Sequence, residues 1–235
     1  MDKLHSREEL ERVPTGCQEL DDLIEGGFVR NSLILVAGHP GSGKSTLAAQ
    51  FIYAGATDYG ENGVYACFTE TKKTLISNWK RFGWDFEKLE LEGRVSILDL
   101  SVVREVGIQE NINTLLERIH SIGAKRLVID SFTAISLAMD TPSDIRFLLR
   151  LIYKFIQEIN CTTMVIADIQ WGANIIGSGM EEFMADGLIL LETHFGEDGV
   201  LRRRLRMLKM RGTEHTQKEH PYEITPTRGI VILPT

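Results

Sequence analysis

A nine-residue segment of the chain, GHPGSGKST, has the residue types and the spacing of a phosphate-binding loop. It fits the pattern G-x-x-x-x-G-K-[ST], follows the apolar run SLILVAG and precedes a segment of helical character. The glycines let successive backbone N–H groups point at phosphate oxygens, and the start of the following helix favours negative charge. The spacing therefore predicts nucleotide binding by Gly38, His39, Pro40, Gly41, Ser42, Gly43, Lys44, Ser45 and Thr46.

Two residues of this loop and one from a later strand have the chemistry of phosphoryl transfer. Lys44 is predicted to reach the β- and γ-phosphates, and the hydroxyl of Ser45 is predicted to bind Mg²⁺. Asp130 ends the apolar run RLVIDS, where a carboxylate would hold the metal directly or through a water molecule. The alternative for Asp130 is a solubilising charge at the end of a strand.

Another carboxylate, Glu70, follows the apolar run GVYACFT within the segment FTETKK. The carboxyl edge of a parallel sheet lies beside a nucleotide crevice, so Glu70 is placed to orient or deprotonate an attacking water. The other interpretation is a favourable charge near the start of a helix. Periodicity does not choose between the two.

The segment RRRLRMLKMR carries six cations in ten residues of a chain whose formal net charge is −7. Because side chains alternate faces along a strand, Lys209 and Arg211 are expected side by side on the face that also carries Leu205. Two such cations can clamp a γ-phosphate, either in the same subunit or in a neighbouring one. For residues 202–204 we prefer the interpretation of an edge strand whose cations discourage aggregation.

These residues need a framework of strands and helices to bring them together. Continuous apolar runs that alternate with helical segments predict a parallel sheet covered on both faces, which is an α/β fold. After residue 185 two tightly joined strands and a further short pair predict an antiparallel addition. We expect one domain over residues 1–235, with residues 1–15 as a loosely ordered lead-in. The predicted strands lie at 32–38, 63–69, 94–100, 125–131 and 162–168, and the clearest helix at 142–160.

The composition places the chain among cytosolic globular proteins. Its three cysteines are odd in number and widely spaced, which fits neither a disulfide framework nor a zinc site and indicates reduced thiols. The N-terminus lacks the apolar core of a signal peptide, and no run approaches the roughly 18 apolar residues of a membrane span. We therefore expect a cytoplasmic protein without a membrane partner.

The motifs occur in the order found in a known family. The segments PTGCQELDDLIEGG, FTE, VIDS, EEFMADGLILL and LKMRGTEHTQKEHPYEIT resemble the KaiC-like ATPases of the RecA superfamily over about residues 12–234. The most specific part is the Lys-x-Arg-Gly-Thr-x-His signature at 209–215. The resemblance implies a RecA-like three-layer sandwich with a mostly parallel central sheet and antiparallel C-terminal strands. It also implies a homo-oligomeric ring, usually a hexamer, with ATP or ADP and Mg²⁺ held between neighbours.

The resemblance assigns roles to individual residues. Lys44 and Ser45 would bind phosphate and magnesium, Asp130 would be the Walker B carboxylate and Glu70 the catalytic glutamate. The residues that would reach the γ-phosphate of the neighbouring subunit are Lys209, Arg211 and His215. Clock-type members carry paired glutamates where this chain has Thr69 and Glu70, and a single carboxylate serves in recombinase-type relatives. The implied activity is ATP hydrolysis with a regulatory or mechanical task, on a downstream protein partner that the sequence does not identify.

Two alternatives come from other functional classes. A recombinase-like protein would grip single-stranded DNA with cations after the last parallel strand, but no Lys or Arg occurs from Phe155 through Leu201. Trp171, in the neutral to acidic loop QWGANIIGSGME, would stack on a base or pack against protein. Nucleic acid is therefore not an expected partner. The remaining alternative is an ATP-binding scaffold that does not hydrolyse its nucleotide.

Overall fold

A computed structural model describes residues 10–100, 104–137, 139, 141–171, 176 and 181–234. The strands in these ranges are β1 (Arg12–Val13), β2 (Phe28–Val29), β3 (Leu33–Gly38), β4 (Gly63–Cys67), β5 (Val95–Asp99), β6 (Arg126–Asp130), β7 (Thr162–Asp168), β8 (Gly187–Phe195), β9 (Leu201–Met210), β10 (His220–Thr225) and β11 (Gly229–Ile232). The helices are α1 (Gln18–Asp22), α2 (Lys44–Asp58), α3 (Lys72–Lys80), α4 (Phe86–Leu91), α5 (Arg104–Ile122), α6 (Phe132–Ser136), α7 (Pro142–Ile159) and α8 (Glu181–Met184).

Over the described ranges, nine strands form one sheet in the order β11-β10-β9-β8-β3-β7-β6-β4-β5. The strands from β8 to β5 in this order pair in parallel, whereas β9, β10 and β11 are added antiparallel at one edge. The predicted α/β fold, with a mostly parallel centre and antiparallel C-terminal strands, is confirmed. None of the helices in the described part of the chain is long and apolar enough to cross a membrane.

Two apolar layers cover the faces of the sheet. Side chains of β3 divide between them, since Ile34 and Val36 join the layer with α1 to α4 while Leu35 joins the layer with α5 to α7. All six residues of β3 are buried, which explains why this strand is apolar throughout instead of alternating. The carboxyl ends of the parallel strands therefore meet at one edge, between the two layers of helices.

The predicted helix at 142–160 is α7, and local residues define its ends. Thr141 and Asp144 form a reciprocal capping box, with Pro142 in the first turn, and Asn160 follows the last turn in a left-handed conformation. The apolar stripe of this helix, which includes Ile152 and Ile156, packs against the sheet. The helix thus forms where both capping and periodicity predict it.

The prediction of a loosely ordered lead-in over residues 1–15 is wrong for residues 12–15. Arg12–Val13 pairs with Phe28–Val29 as a two-stranded antiparallel ribbon, and the side chains of Val13 and Thr15 are fully buried. Residues 1–9 lie outside the described ranges. Two residues are too few to give a recognisable periodicity, so only the pairing with β2 identifies this strand.

The expected alternation of side chains along the basic strand is also wrong beyond Met207. Leu188 pairs with Lys209 and Ile189 pairs with Met207, so Leu208 is an extra residue in a β-bulge. The bulge moves Lys209 to the face opposite Leu205, while Met210 takes the buried position. A one-residue insertion of this kind has no signature in the pattern RRRLRMLKMR.

Candidate functional site

The phosphate loop connects β3 to α2 at the carboxyl edge of the sheet. Gly41 and Gly43 have φ angles of 78° and 94°, a left-handed conformation that glycine adopts without strain. A Cβ atom on Gly43 would also lie 2.7 Å from Cδ1 of Ile224, so the loop and β10 fit closely only at glycine. Gly43 directly precedes Lys44, the first residue of α2, and the loop therefore lies at the positive end of a 15-residue helix.

Lys44 is buried and its ammonium group is fully engaged. Nζ donates to the carbonyl of Gly38 at 2.9 Å and to that of His39 at 3.1 Å, and lies 3.1 Å from Oδ1 of Asp168. Asp168 ends β7 and pairs with Gly38 across the sheet. The ammonium group has three protons, so each of them has an acceptor within the loop and its neighbour. No motif in the sequence indicates a role for Asp168.

Asp130 lies beside Ser45, the other residue for which the sequence predicts a metal-binding role. The carboxylate is 5% exposed, and Oδ2 accepts a hydrogen bond of 2.5 Å from the hydroxyl of Tyr65. Burial raises the pKa of Asp130 above its ordinary value, and hydrogen bonds from Tyr65 and Ser45 oppose this increase. The solubilising role considered for Asp130 does not fit a carboxylate that is this deeply buried.

The donor set fits a magnesium ion that is held together with phosphate. No group of three or more His, Cys, Asp or Glu side chains capable of holding a metal occurs among the described residues. Magnesium bound to a nucleotide takes one or two protein ligands and completes its octahedron with phosphate oxygens and water. A serine hydroxyl and one carboxylate beside a phosphate loop supply that number of ligands.

Glu70 lies on the surface between β4 and α3. Its N–H donates to Sγ of Cys67 at 3.2 Å, and α3 is capped by the next residue, Thr71, whose side chain accepts from the N–H of Thr74. The carboxylate of Glu70 makes no hydrogen bond or ion pair with any described residue. Thr71 therefore performs the capping, and the side chain of Glu70 stays available at the carboxyl edge.

The cations of the Lys-x-Arg signature lie far from the phosphate loop of their own chain. Lys209 pairs with Leu188, which pairs with Leu35, three residues before Gly38 and thus about 10 Å along the strand. The N–H of Arg211 donates to the carbonyl of Asp186, the residue that precedes β8. Since β9 runs antiparallel to β8, its last residues approach the opposite edge of the sheet.

Local contacts hold these cations and the turn that follows them. Lys209 Nζ donates to the carbonyl of Glu182 at 3.3 Å, and Arg211 Nη1 lies 3.1 Å from Oδ1 of Asp186. Arg12 Nη1 donates to Oγ1 of Thr213 at 2.6 Å, so strand β1 buttresses the signature. His215 contacts the same residue through Nδ1, 3.3 Å from the carbonyl of Thr213.

The first half of β9 contacts the phosphate loop instead. Arg203 Nε donates to the carbonyl of Gly41 at 3.4 Å, and the hydroxyl of Tyr222 on β10 donates to the carbonyl of Ser42 at 2.5 Å. The edge-strand interpretation of residues 202–204 is wrong, because β9 lies between β8 and β10 and the edge strand is β11. Arg202 pairs with Asp198 on the surface, whereas Arg203 contacts the phosphate loop.

An open cleft of about 420 Å³, which no sequence motif indicates, lies next to the loop. Ile224, whose side chain packs on Gly43, forms one wall. The cleft combines apolar surface with an amide and a guanidinium, which is the usual chemistry of a site for a flat, polar-edged ring. Its lining residues are Asn78, Arg81, Phe82, Ile224 and Pro226.

His39 of the loop stacks on Trp171, the residue that follows β7 by three positions. The ring centroids are 4.7 Å apart with an interplanar angle of 13°, and Trp171 remains 55% exposed. The sequence predicts nucleotide contact for His39 and base stacking or packing for Trp171, but nothing in the chain order places the two rings together. Residues 172–175 and 177–180, for which the sequence predicts a loop, lie outside the described ranges.

Comparisons with known proteins agree with this geometry. The family model described as the KaiC ATPase matches residues 13–235. A UPF0273 protein of Methanocaldococcus jannaschii is 35% identical over 96% of this chain and 97% of its own length. The circadian clock oscillator protein KaiC of Synechococcus elongatus is 35% identical over 95% of this chain, which spans 44% of that protein. The crystal structure of a KaiC-like protein from Pyrococcus horikoshii OT3 matches with a TM-score of 0.87 and 37% identity, covering 96% of this chain and 100% of that one.

Proposed function

This chain belongs to the KaiC family of P-loop ATPase domains, and on that premise we propose that it binds ATP with Mg²⁺ and hydrolyses it. The observation that carries the proposal is the joint placement of Lys44 and the Ser45–Asp130 pair at the phosphate loop. A cation for the phosphates and two ligands for a metal are what phosphoryl transfer requires of a protein.

Each group of the site has a separate role in ATP hydrolysis. The N–H groups of the loop and the N-terminus of α2 bind the β- and γ-phosphates, and Lys44 neutralises their charge. Ser45 and Asp130 would hold Mg²⁺, which supplies charge neutralisation on the phosphate oxygens when it is bound. Glu70, exposed at the same edge, orients a water molecule for attack on the γ-phosphorus and accepts its proton.

The cleft beside Gly43 supplies a place for the base of the nucleotide. Ile224 and Phe82 offer apolar surface to the ring, while Asn78 and Arg81 offer groups that hydrogen-bond its edge. Ile224 lines the cleft and also packs on Gly43, so the cleft lies next to the phosphate loop. We therefore assign adenine recognition to this cleft.

We further propose that each active site is completed by a neighbouring subunit of a homo-oligomeric ring, usually a hexamer in this family. The position of Lys209 and Arg211 near the opposite edge of the sheet supports this arrangement, because neither lies near the phosphate loop of its own chain. In a ring, the edge that carries these residues faces the carboxyl edge of the next subunit. His215, which follows the same turn, is assigned to the same contact. Nucleotide turnover in such a ring is the property that a downstream partner would sense.

Two assays test the proposal: the rate of phosphate release from ATP and the affinity for a fluorescent ATP analogue. We expect Mg²⁺-dependent turnover that single-stranded DNA leaves unchanged, loss of binding in Lys44→Ala, and binding without turnover in Glu70→Gln. As a control, Glu87→Gln removes an exposed carboxylate outside the site. Binding without turnover in the wild type would favour the scaffold alternative, and stimulation by DNA would favour the recombinase alternative. Turnover that survives in Glu70→Gln would remove that residue from the mechanism.

A further inference from the structure

Tyr65 is the one residue of β4 that brings a hydroxyl into the core. The strand is buried throughout, and the exposed fraction of Tyr65 is 0%. Burying a phenol is costly unless its hydroxyl finds a partner. A phenylalanine would fill the same volume without that cost, so the function of the hydroxyl must lie in the contact that it makes.

The hydroxyl donates to the Asp130 carboxylate and also lies within reach of the Ser45 hydroxyl. Cys67 pairs with Asp130 between β4 and β6, and Tyr65 lies two residues before Cys67 on the same face of the sheet. The hydroxyl therefore reaches Asp130 diagonally and donates to Oδ2 at 2.5 Å. A donor to an ionised acceptor makes a stronger hydrogen bond than a neutral pair does.

The ring of Tyr65 is itself fixed in place. Trp79 of α3 packs edge-on against it, with centroids 4.8 Å apart and an interplanar angle of 63°. Trp79 is 3% exposed, so neither ring has room to turn away. The hydroxyl consequently presents its proton to Asp130 from a constant direction.

We propose that Tyr65 is a positioning residue for the metal carboxylate, an inference that rests on the proposed Mg²⁺-ATP function. By donating to Oδ2, its hydroxyl fixes the orientation of the Asp130 carboxylate, which would then present its other oxygen to Mg²⁺ beside Ser45. Groups that hold a metal ligand from behind contribute about 10-fold to 100-fold to metal affinity in comparable sites. Tyr65 does not contact the nucleotide, so its effect is confined to the part of nucleotide binding that depends on the metal.

The test is the Mg²⁺ concentration that gives half-maximal binding of a fluorescent ATP analogue to the full chain. We expect Tyr65→Phe to raise this concentration about tenfold while leaving binding in EDTA unchanged. Tyr53→Phe is the matched control, since Tyr53 packs its ring against Trp84 and Phe86 away from Asp130. Thermal unfolding of each variant separates a loss of folding from a loss of metal binding.

A double-mutant cycle identifies the route of the effect. In an Asp130→Asn background, Tyr65→Phe is expected to raise the Mg²⁺ requirement much less than in the wild type, because Tyr65 acts mainly through that carboxylate. An unchanged Mg²⁺ requirement in the Tyr65→Phe single variant, or an equal loss of binding with and without EDTA, would overturn the inference. If the wild type shows no Mg²⁺-dependent binding of the analogue, the proposed function fails instead, and the two failures are thus distinguished.

Discussion

The carboxylate of Asp168 forms an ion pair with the ammonium group of Lys44, with Oδ1 3.1 Å from Nζ. The other carboxylate oxygen, Oδ2, accepts from the hydroxyl of Ser131 at 3.1 Å. The backbone N–H of Asp168 donates to Oγ1 of Thr133 at 2.8 Å. Asp168 is therefore held at the end of β7 in contact with the lysine of the phosphate loop. A γ-phosphate that approaches Lys44 has to compete with this carboxylate for the same protons.

Replacing Asp168 by asparagine is expected to tighten ATP binding. The change removes a charge that competes with the γ-phosphate, and at a position 41% exposed this competition is worth about 1 kcal/mol, or roughly fivefold in the dissociation constant. Isothermal titration calorimetry with ATP and with ADP measures the effect, which should be smaller for ADP. Asp99→Asn, at the end of β5 on the same edge, serves as the control. Weaker Mg²⁺-ATP binding in Asp168→Asn would show that the carboxylate supports the metal instead of competing with the phosphate.

Mixing two inactive variants tests whether the active site spans two subunits. Lys44→Ala lacks nucleotide but keeps its basic strand, whereas Arg211→Ala binds nucleotide but lacks the cation that completes the neighbouring site. Mixing with subunit exchange is expected to restore part of the turnover, because some interfaces then pair an intact loop with an intact Arg211.

Light scattering confirms that each of these variants assembles before the mixture is assayed. The matched control is Arg202→Ala, which removes a surface arginine near the start of β9 and should stay active alone. If both variants assemble and exchange subunits but the mixture remains inactive, Arg211 does not act across the interface.

Replacing Glu61 by glutamine is expected to destabilise the fold in a pH-dependent manner. Glu61 pairs with Arg126 at 2.7 Å and with Arg30 at 2.6 Å, and the Arg126 side chain is 0% exposed. Burial would raise the pKa of Glu61, but the hydrogen bonds and charges of the two arginines outweigh it and hold the pKa below the ordinary 4.5. Breaking this buried pair should cost about 3 kcal/mol at pH 7.

The sign of the pH dependence follows from the lowered pKa of Glu61. Its stabilisation is fully present above the unfolded-state pKa and is lost as the pH falls through the lower folded-state value. Urea unfolding at several pH values measures the free energy of unfolding of wild type and Glu61→Gln. The difference between the two free energies should be constant near neutrality and should narrow below about pH 4.5. Glu87→Gln, which breaks an exposed pair with Lys80, should unfold like the wild type. A difference that persists at acid pH would mean that packing around Arg126 causes it.

Much of the site was predictable because its parts are encoded locally. The glycine spacing at 38–43, the apolar runs and the capping residues at 141–144 each depend on neighbours within a few positions. The carboxyl ends of parallel strands share one edge, so Asp130 and the phosphate loop could be expected close together from chain order alone. The basic strand, in contrast, was predicted with the wrong faces beyond Met207, since a bulge depends on the partner strand.

The amino-acid sequence by itself determined the class of fold, the phosphate loop and the family, because each of these resides in a contiguous pattern. Only the tertiary structure decided which side chains meet across strands. The order β8-β3-β7-β6-β4 brings Asp168 to Lys44 and Tyr65 to Asp130, and the register of β9 separates Lys209 from the loop of its own chain. Strand order and register arise from burial of both sheet faces at once, a property of the whole chain that no local segment contains.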